Sequence, residues 1–227
     1  MRHPTPHPFP ALLLAALALA GCASTTTVDE YRPTTEPIDI GQEERVAILG
    51  RRDAGHYETD RGFMNCLAGK MNRAKFRVMS EEEFIDALYP WFEPRTAPKH
   101  LERLKRLMRD PVIQAKVKQE KIRYLVWLDG EVETHGMSGA MSCGMGPSGA
   151  GCFGYTTWDK NAMFEAIVWD LVDLTEEARI RVDSEGTSYV IGIVAPIPLL
   201  TPVKSQACDG MGKQLRSYFE HIQEDVG

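Results

Sequence analysis

Ile122-Arg123-Tyr124-Leu125-Val126-Trp127-Leu128-Asp129-Gly130-Glu131-Val132 is the stretch on which the fold turns. Tyr124 to Leu128 is an unbroken apolar run, the mark of a strand buried on both faces. From Asp129 the pattern alternates, as a strand does when one of its faces meets water. A second run of the same kind stands upstream at Arg45 to Gly50, and a shorter one at Phe76 to Met79. Between these runs lie helical spacings. Phe63, Cys66, Leu67 and Met71 recur at i, i+3, i+4 and i+8. Ser80 with Glu83 forms a capping box that opens a helix through Phe84, Ile85 and Leu88. Its three successive glutamates suit the positive end of the helix dipole, so they are read as structural and not as a metal site. Leu101, Leu104, Leu107 and Met108 line another helix, which Asp110-Pro111 restarts as an N-cap with a first-turn proline.

Downstream, Asn161 to Leu171, Ala178 to Asp183 and Tyr189 to Val194 read as three further strands, with Pro196, Pro198 and Pro202 ending the last. A final helix begins near Ser205 and presents Cys208, Met211, Leu215, Phe219 and Ile222. The expected order is β-α-β-α-α-β-β-β-β-α, one α/β (α+β) domain over residues 44–227 with a mixed sheet. Residues 134–157 interrupt it with seven glycines between Gly136 and Gly154, and are expected to form a glycine-rich loop closed by a disulfide.

The N-terminus carries a different signal. After Arg2 and four prolines, Ala11 to Ala20 holds only alanine and leucine. As a helix, ten residues reach about 15 Å, half of a hydrocarbon core, too short to span but right for the apolar part of a signal peptide. Leu19-Ala20-Gly21-Cys22 follows. It resembles the lipobox of bacterial lipoproteins, which implies cleavage between Gly21 and Cys22, a signal peptide over 1–21, and lipid on the Cys22 sulfur. Two or more acyl chains hold a protein on a membrane, where one does not. The residue after Cys22 is Ala23, not Asp, and in Gram-negative relatives that implies the outer membrane, facing the periplasm. Residues 22–43, rich in Ser, Thr and Pro, are expected to be a disordered, flexible linker.

The other four cysteines fit an oxidising compartment and allow three pairings. Cys143 and Cys152 bracket a segment that can fold back on itself, so they are paired, leaving Cys66 with Cys208. A net charge of −6 argues against a nucleic-acid partner, because no basic stripe is available to release counterions. Lys99, Arg103, Lys105, Arg106 and Arg109 are interleaved with leucines and read as the wet face of a helix.

No catalytic set assembles. Gly144-Met145-Gly146-Pro147-Ser148-Gly149 formally matches a dinucleotide fingerprint, but it leads into Ala150-Gly151-Cys152 and not into an apolar helix, so it is rejected. There is no nucleophile elbow, and the histidines of the mature chain (His56, His100, His135, His221) lack ligand spacing. Glu165 and Asp170 are expected to face outward from their apolar strand. No cofactor or metal is expected. Candidate contacts to a partner or the lipid surface are Met141, Met145 and Phe153 in the glycine-rich segment, beside Met137. Ile197, Leu199 and Leu200 join them from the long apolar run Val190 to Leu200.

Over residues 44–220 the element order resembles the small periplasmic α/β domain of several envelope lipoproteins, among them the curli-secretion and penicillin-binding-protein activator lipoproteins. The likeness rests on the lipobox, the linker, Arg45-Val46-Ala47-Ile48-Leu49 and Arg123-Tyr124-Leu125-Val126-Trp127-Leu128. A full-sized domain with an anchor and no assembled catalytic set leads to the expectation of a non-enzymatic binding or scaffold role in envelope assembly or maintenance, with unknown envelope proteins as partners. A subunit of an oligomeric export pore is the alternative. Residues 134–160 read as too glycine-rich and too short for that pore's transmembrane strands of about 9–11 residues. An enzyme with dispersed site residues is the third reading, which a surface with no cleft around any His, Cys or acid would remove.

Overall fold

Branched and aromatic residues that bury both faces of a strand need helices above and below them, and the computed structural model supplies both layers. It describes residues 24–33, 38, 40–53, 56–57, 59–72, 76–93, 98–147, 149–192 and 195–220. In chain order these form β1 (Ser24–Tyr31), β2 (Arg45–Gly50), a short pair β3 (Arg52–Asp53) and β4 (His56–Tyr57), α1 (Arg61–Met71), β5 (Arg77–Met79) and α2 (Glu81–Ala87). Then come α3 (Leu101–Met108), α4 (Pro111–Gln119), β6 (Ile122–Gly146), β7 (Gly149–Asp170), β8 (Thr175–Gly192), β9 (Pro196–Leu199) and α5 (Val203–Glu220). The expected signal peptide, Gly21 and Cys22 lie outside the described residues.

Helix starts follow local chemistry. Asp60 accepts the Phe63 N–H at 2.7 Å at the head of α1. Ser80 and Glu83 make the capping box, Glu83 N–H to Ser80 Oγ at 3.3 Å and Ser80 N–H to Glu83 Oε2 at 2.8 Å. Asp110 caps α4 through the Val112 N–H at 2.8 Å, with Pro111 in the first turn.

The main sheet has the order β1-β8-β7-β6-β2-β5, with β9 also on β8. Strand β2 runs parallel to both β5 and β6, setting Val46 opposite Tyr124 and Leu49 opposite Trp127. The links at 147–148 and 171–174 are too short for a crossover, so β6, β7 and β8 meander antiparallel. The sheet is therefore mixed and the class α/β.

The chain divides into two compact units. Of the described residues, the body takes those within 26–133, 162–184 and 204–220; the arm takes Ser24, Thr25 and those within 134–161 and 185–203. In the body, alternate strand residues go to opposite layers. Ala47, Leu49, Leu125, Trp127, Ile167 and Trp169 pack with Phe84, Leu88, Leu104, Met108, Ile113 and Val117 of α2, α3 and α4. On the other face the Phe63 ring of α1 stacks on Phe164 with centroids 3.6 Å apart, and Phe219 of α5 tilts against Tyr124 at 5.5 Å. The Cys66–Cys208 disulfide joins α1 to α5, as expected.

Five expectations need correction. Ser24–Tyr31, expected within the flexible linker, is the strand β1. Ser24 to Val28 are small or β-branched and pair readily at a sheet edge, where backbone hydrogen bonds suffice and one face can stay wet; Thr26 Oγ1 meets Ser184 Oγ at 2.8 Å. The segment 134–157 is not a loop but the continuation of β6 and β7. Pro196 and Pro198 do not end the sheet, since an outer strand such as β9 tolerates them, and the two strands expected at 178–183 and 189–194 are one, β8.

The fifth is Asp170, which is buried and not outward-facing. Its carboxylate meets Arg123 Nη2 at 2.6 Å and accepts the N–H groups of Val172 and Asp173 at 2.7 and 2.9 Å. It therefore fixes the β7–β8 turn. Glu165 does sit half-exposed, 3.5 Å from Arg179.

Candidate contact surface on the arm

Glycines decide how the arm is built. Gly139 and Gly154 have φ of +98° and +129°, and a Cβ on either would strike the carbonyl of Tyr155 or Ala140 on the opposing strand. The glycine richness that suggested a loop instead lets two strands approach closely and bulge. Near the turn the Cys143–Cys152 disulfide clamps the pair, its Cα atoms 4.0 Å apart. This pairing also matches expectation.

No described residue between Gly139 and Gly149 has a positive φ, so the alternation there is regular. Met141, Cys143 and Met145 share one face, Cys152 lies on that same face through its disulfide, and Phe153 points to the other. Met145 is 90% exposed and Phe153 75%, so both faces of the tip present large apolar side chains to solvent. Met137 and Tyr155 are exposed along the same hairpin. On β8 and β9 of the arm, Ile191 stands opposite Ile197, both exposed, and Leu200 is exposed just beyond.

Of the six expected contact residues, Met145, Phe153, Ile197 and Leu200 are exposed, while Met141 and Leu199 are half-buried. All six fall in the arm. Tyr155 and Ile191 were missed. Tyr155 was legible as the second aromatic of Gly151-Cys152-Phe153-Gly154-Tyr155; Ile191 lay inside the expected strand Tyr189 to Val194, where nothing local marks which side chains stay exposed.

The body has a hollow of its own, about 220 Å³, lined by Arg51, His100, Trp127, Asp129 and Glu165 among others. A cleft beside a histidine and two acids thus exists, contrary to the featureless surface that would have removed the enzyme reading. Its acids are engaged: Asp129 accepts from Arg51 Nη1 at 2.8 Å, and Glu165 faces Arg179. Among the described residues, no group of three or more His, Cys, Asp or Glu gathers as a metal site. On the other layer of the sheet, burial pushes the phenol of Tyr124 up to about 12, while its Arg123 neighbour pulls the other way.

No family model matches this chain, and no curated protein matches it. Solved structures do, among them a PelC dodecamer from Paraburkholderia phytofirmans and a single-substitution variant of it, with TM-scores of 0.37 and 0.38. Each is 10% identical in sequence, and each match covers 85% of this chain and 96% of the PelC chain. Among the described residues, no helix is long and apolar enough to cross a membrane.

Proposed function

We propose that this chain is a lipid-anchored lipoprotein of the bacterial envelope, acylated on Cys22, that works by contact and not by chemistry. In this reading the α/β body is the scaffold and the arm is the part that engages an envelope partner. The exposure of large apolar side chains on both faces of the arm carries the proposal. A sheet that folds for its own stability buries at least one face; here Met145 and Phe153 point in opposite directions and neither is covered. Apolar and aromatic residues left in water on a disulfide-clamped strand pair suit an interface whose other half is another protein.

Cross-linking in intact cells, solubilisation of the envelope and recovery of the full-length chain tests this. One or a few defined proteins should be captured, and Met145→Asp with Phe153→Asp should abolish their capture while leaving the chain's level unchanged. A partnerless monomer at native abundance would reject the scaffold reading.

A second reading is a subunit of an oligomeric export complex, and one observation favours it. In the arm, β6 runs over 134–146 and β7 over 149–161, each about 40 Å of extended chain and longer than the 9–11 residues a transmembrane strand needs. The length objection drawn from the sequence therefore falls. The native mass of the detergent-extracted protein separates the two readings: a closed ring of many copies supports the export subunit, and a monomer ends it.

A further inference from the structure

Ser24, the first residue of β1, follows Cys22 by two positions, and two residues span at most about 7 Å. Ser24 is also held in place within the arm. A Cβ added to Gly186 of β8 would stand 3.0 Å from the Ser24 Cβ and would collide with the Thr201 methyl, so all three residues crowd one spot. Thr201 is pinned there, its N–H donating to Ser188 Oγ at 3.0 Å and its hydroxyl to the Thr187 carbonyl. The residues leading into Thr201 are Pro196–Leu199 of β9 and Leu200, and of these Ile197 and Leu200 are about half exposed. Acyl chains on Cys22 would therefore emerge beside the exposed apolar segment.

The geometry points to a membrane-docking patch formed by Ile197, Leu200 and Ile191, seated in the leaflet that holds the anchor. The inference rests on the lipoprotein reading above, and it divides the arm's apolar residues between two tasks. The β9 patch meets lipid; Met145 and Phe153 at the tip remain for protein.

Two observations favour lipid over protein at β9. Prolines occupy alternate positions of this outer strand, where they stand with the nitrogen outward and offer no N–H to a further strand from another chain or a second copy. The arm's described residues also hold one lysine, Lys160, against Asp159 and Glu185, so docking proceeds by burial of apolar side chains and not by attraction to anionic headgroups.

The test uses the full-length chain, processed in a bacterial host and reconstituted into phosphatidylcholine vesicles that contain a diazirine-tailed phosphatidylcholine. Photolabelled peptides are mapped, and the intact mass of the same preparation reports acylation of Cys22. Per residue, label on 195–201 should exceed label on 143–155 by at least about five-fold. It should fall by at least about five-fold in Ile197→Asp with Leu200→Asp, with the acylated mass unchanged. The milder pair Ile197→Ser with Leu200→Ser should lower it in the same direction and guards against a loss of fold. Adding ~30% phosphatidylglycerol or ~1 M salt should change it less than about two-fold. An acylated protein with β9 unlabelled, label concentrated at the tip, no response to the substitutions, or a steep dependence on anionic lipid would each overturn the patch and leave the anchor standing. A mass without acyl chains removes the lipoprotein reading itself, and this inference with it.

Discussion

In the body, β6 buries Leu125 and Val126 completely, whereas further along the same strand, in the arm, it leaves Met145 at 90% exposure. The backbone does the same thing in both places: it pairs with β7. What differs is the side-chain environment. In the body each strand face meets a helix layer, so pairing and burial coincide. In the arm pairing stands alone, held by ladder hydrogen bonds, close glycine contacts and one disulfide. A ladder sets geometry, but burial supplies most of the stability. The body therefore carries the folding free energy, and the arm keeps apolar surface in reserve for association.

That comparison can be broken most directly at the disulfides. The Cys66–Cys208 bridge closes a separation of 142 residues and Cys143–Cys152 one of 9. On the chain-entropy account, replacing the first pair with alanines costs up to about 5 kcal/mol and the second up to about 3 kcal/mol, measured by denaturant unfolding. Equal losses would mean that the arm is as integral to the fold as the body.

Trp169→Ala, in the fully packed body core, should cost about 3–5 kcal/mol in the same assay. Asp170→Ala should cost about 3 kcal/mol, because it takes the buried carboxylate from Arg123, leaving that guanidinium the exposed Asp173, and frees two turn N–H groups. Rescue by Asp170→Asn should be partial: the amide oxygen can accept from the turn, yet the buried one of the two charge partners of Arg123 is gone. High pH should also find the body first. The folded pKa of Tyr124 lies near 12, above its ordinary value of 10, so the neutral phenol's contribution is intact below about pH 10 and is lost as pH rises through 12. Tyr124→Phe should flatten that part of the pH–stability profile.

The smallest effect belongs to the arm. Met145→Asp and Phe153→Asp should shift stability by less than about 0.5 kcal/mol, since each removes an exposed side chain. A loss as large as that of Trp169→Ala would show that the tip packs against the chain itself.

Much of the body was legible from one dimension. Double-sided apolar runs, i and i+4 spacings, and the Ser80 and Asp110 caps are all local signals, and each produced its element. The arm was not legible, because glycine, methionine and serine carry little strand propensity and no periodic burial. What holds Gly139 and Gly154 in strands is the carbonyl across the ladder, a partner that only folding brings near. Asp170 was misread for the same reason. Alternation in an apolar strand argues for an outward acid, yet Arg123 and two turn amides waited at that site, contributed by other stretches of chain. The edge strand β1 escaped notice because Ser and Thr read as linker until β8 offers them a ladder.

By itself the sequence determined the helices, the central strands, the α/β class and both cysteine pairings, since each depends on side-chain pattern or on spacing along the chain. Only the tertiary structure decided that the glycine-rich segment extends the sheet, that a strand already runs from Ser24, and that most of the large exposed apolar side chains lie in one unit. Those outcomes turn on hydrogen bonds and close contacts between residues far apart in sequence, which no local pattern encodes.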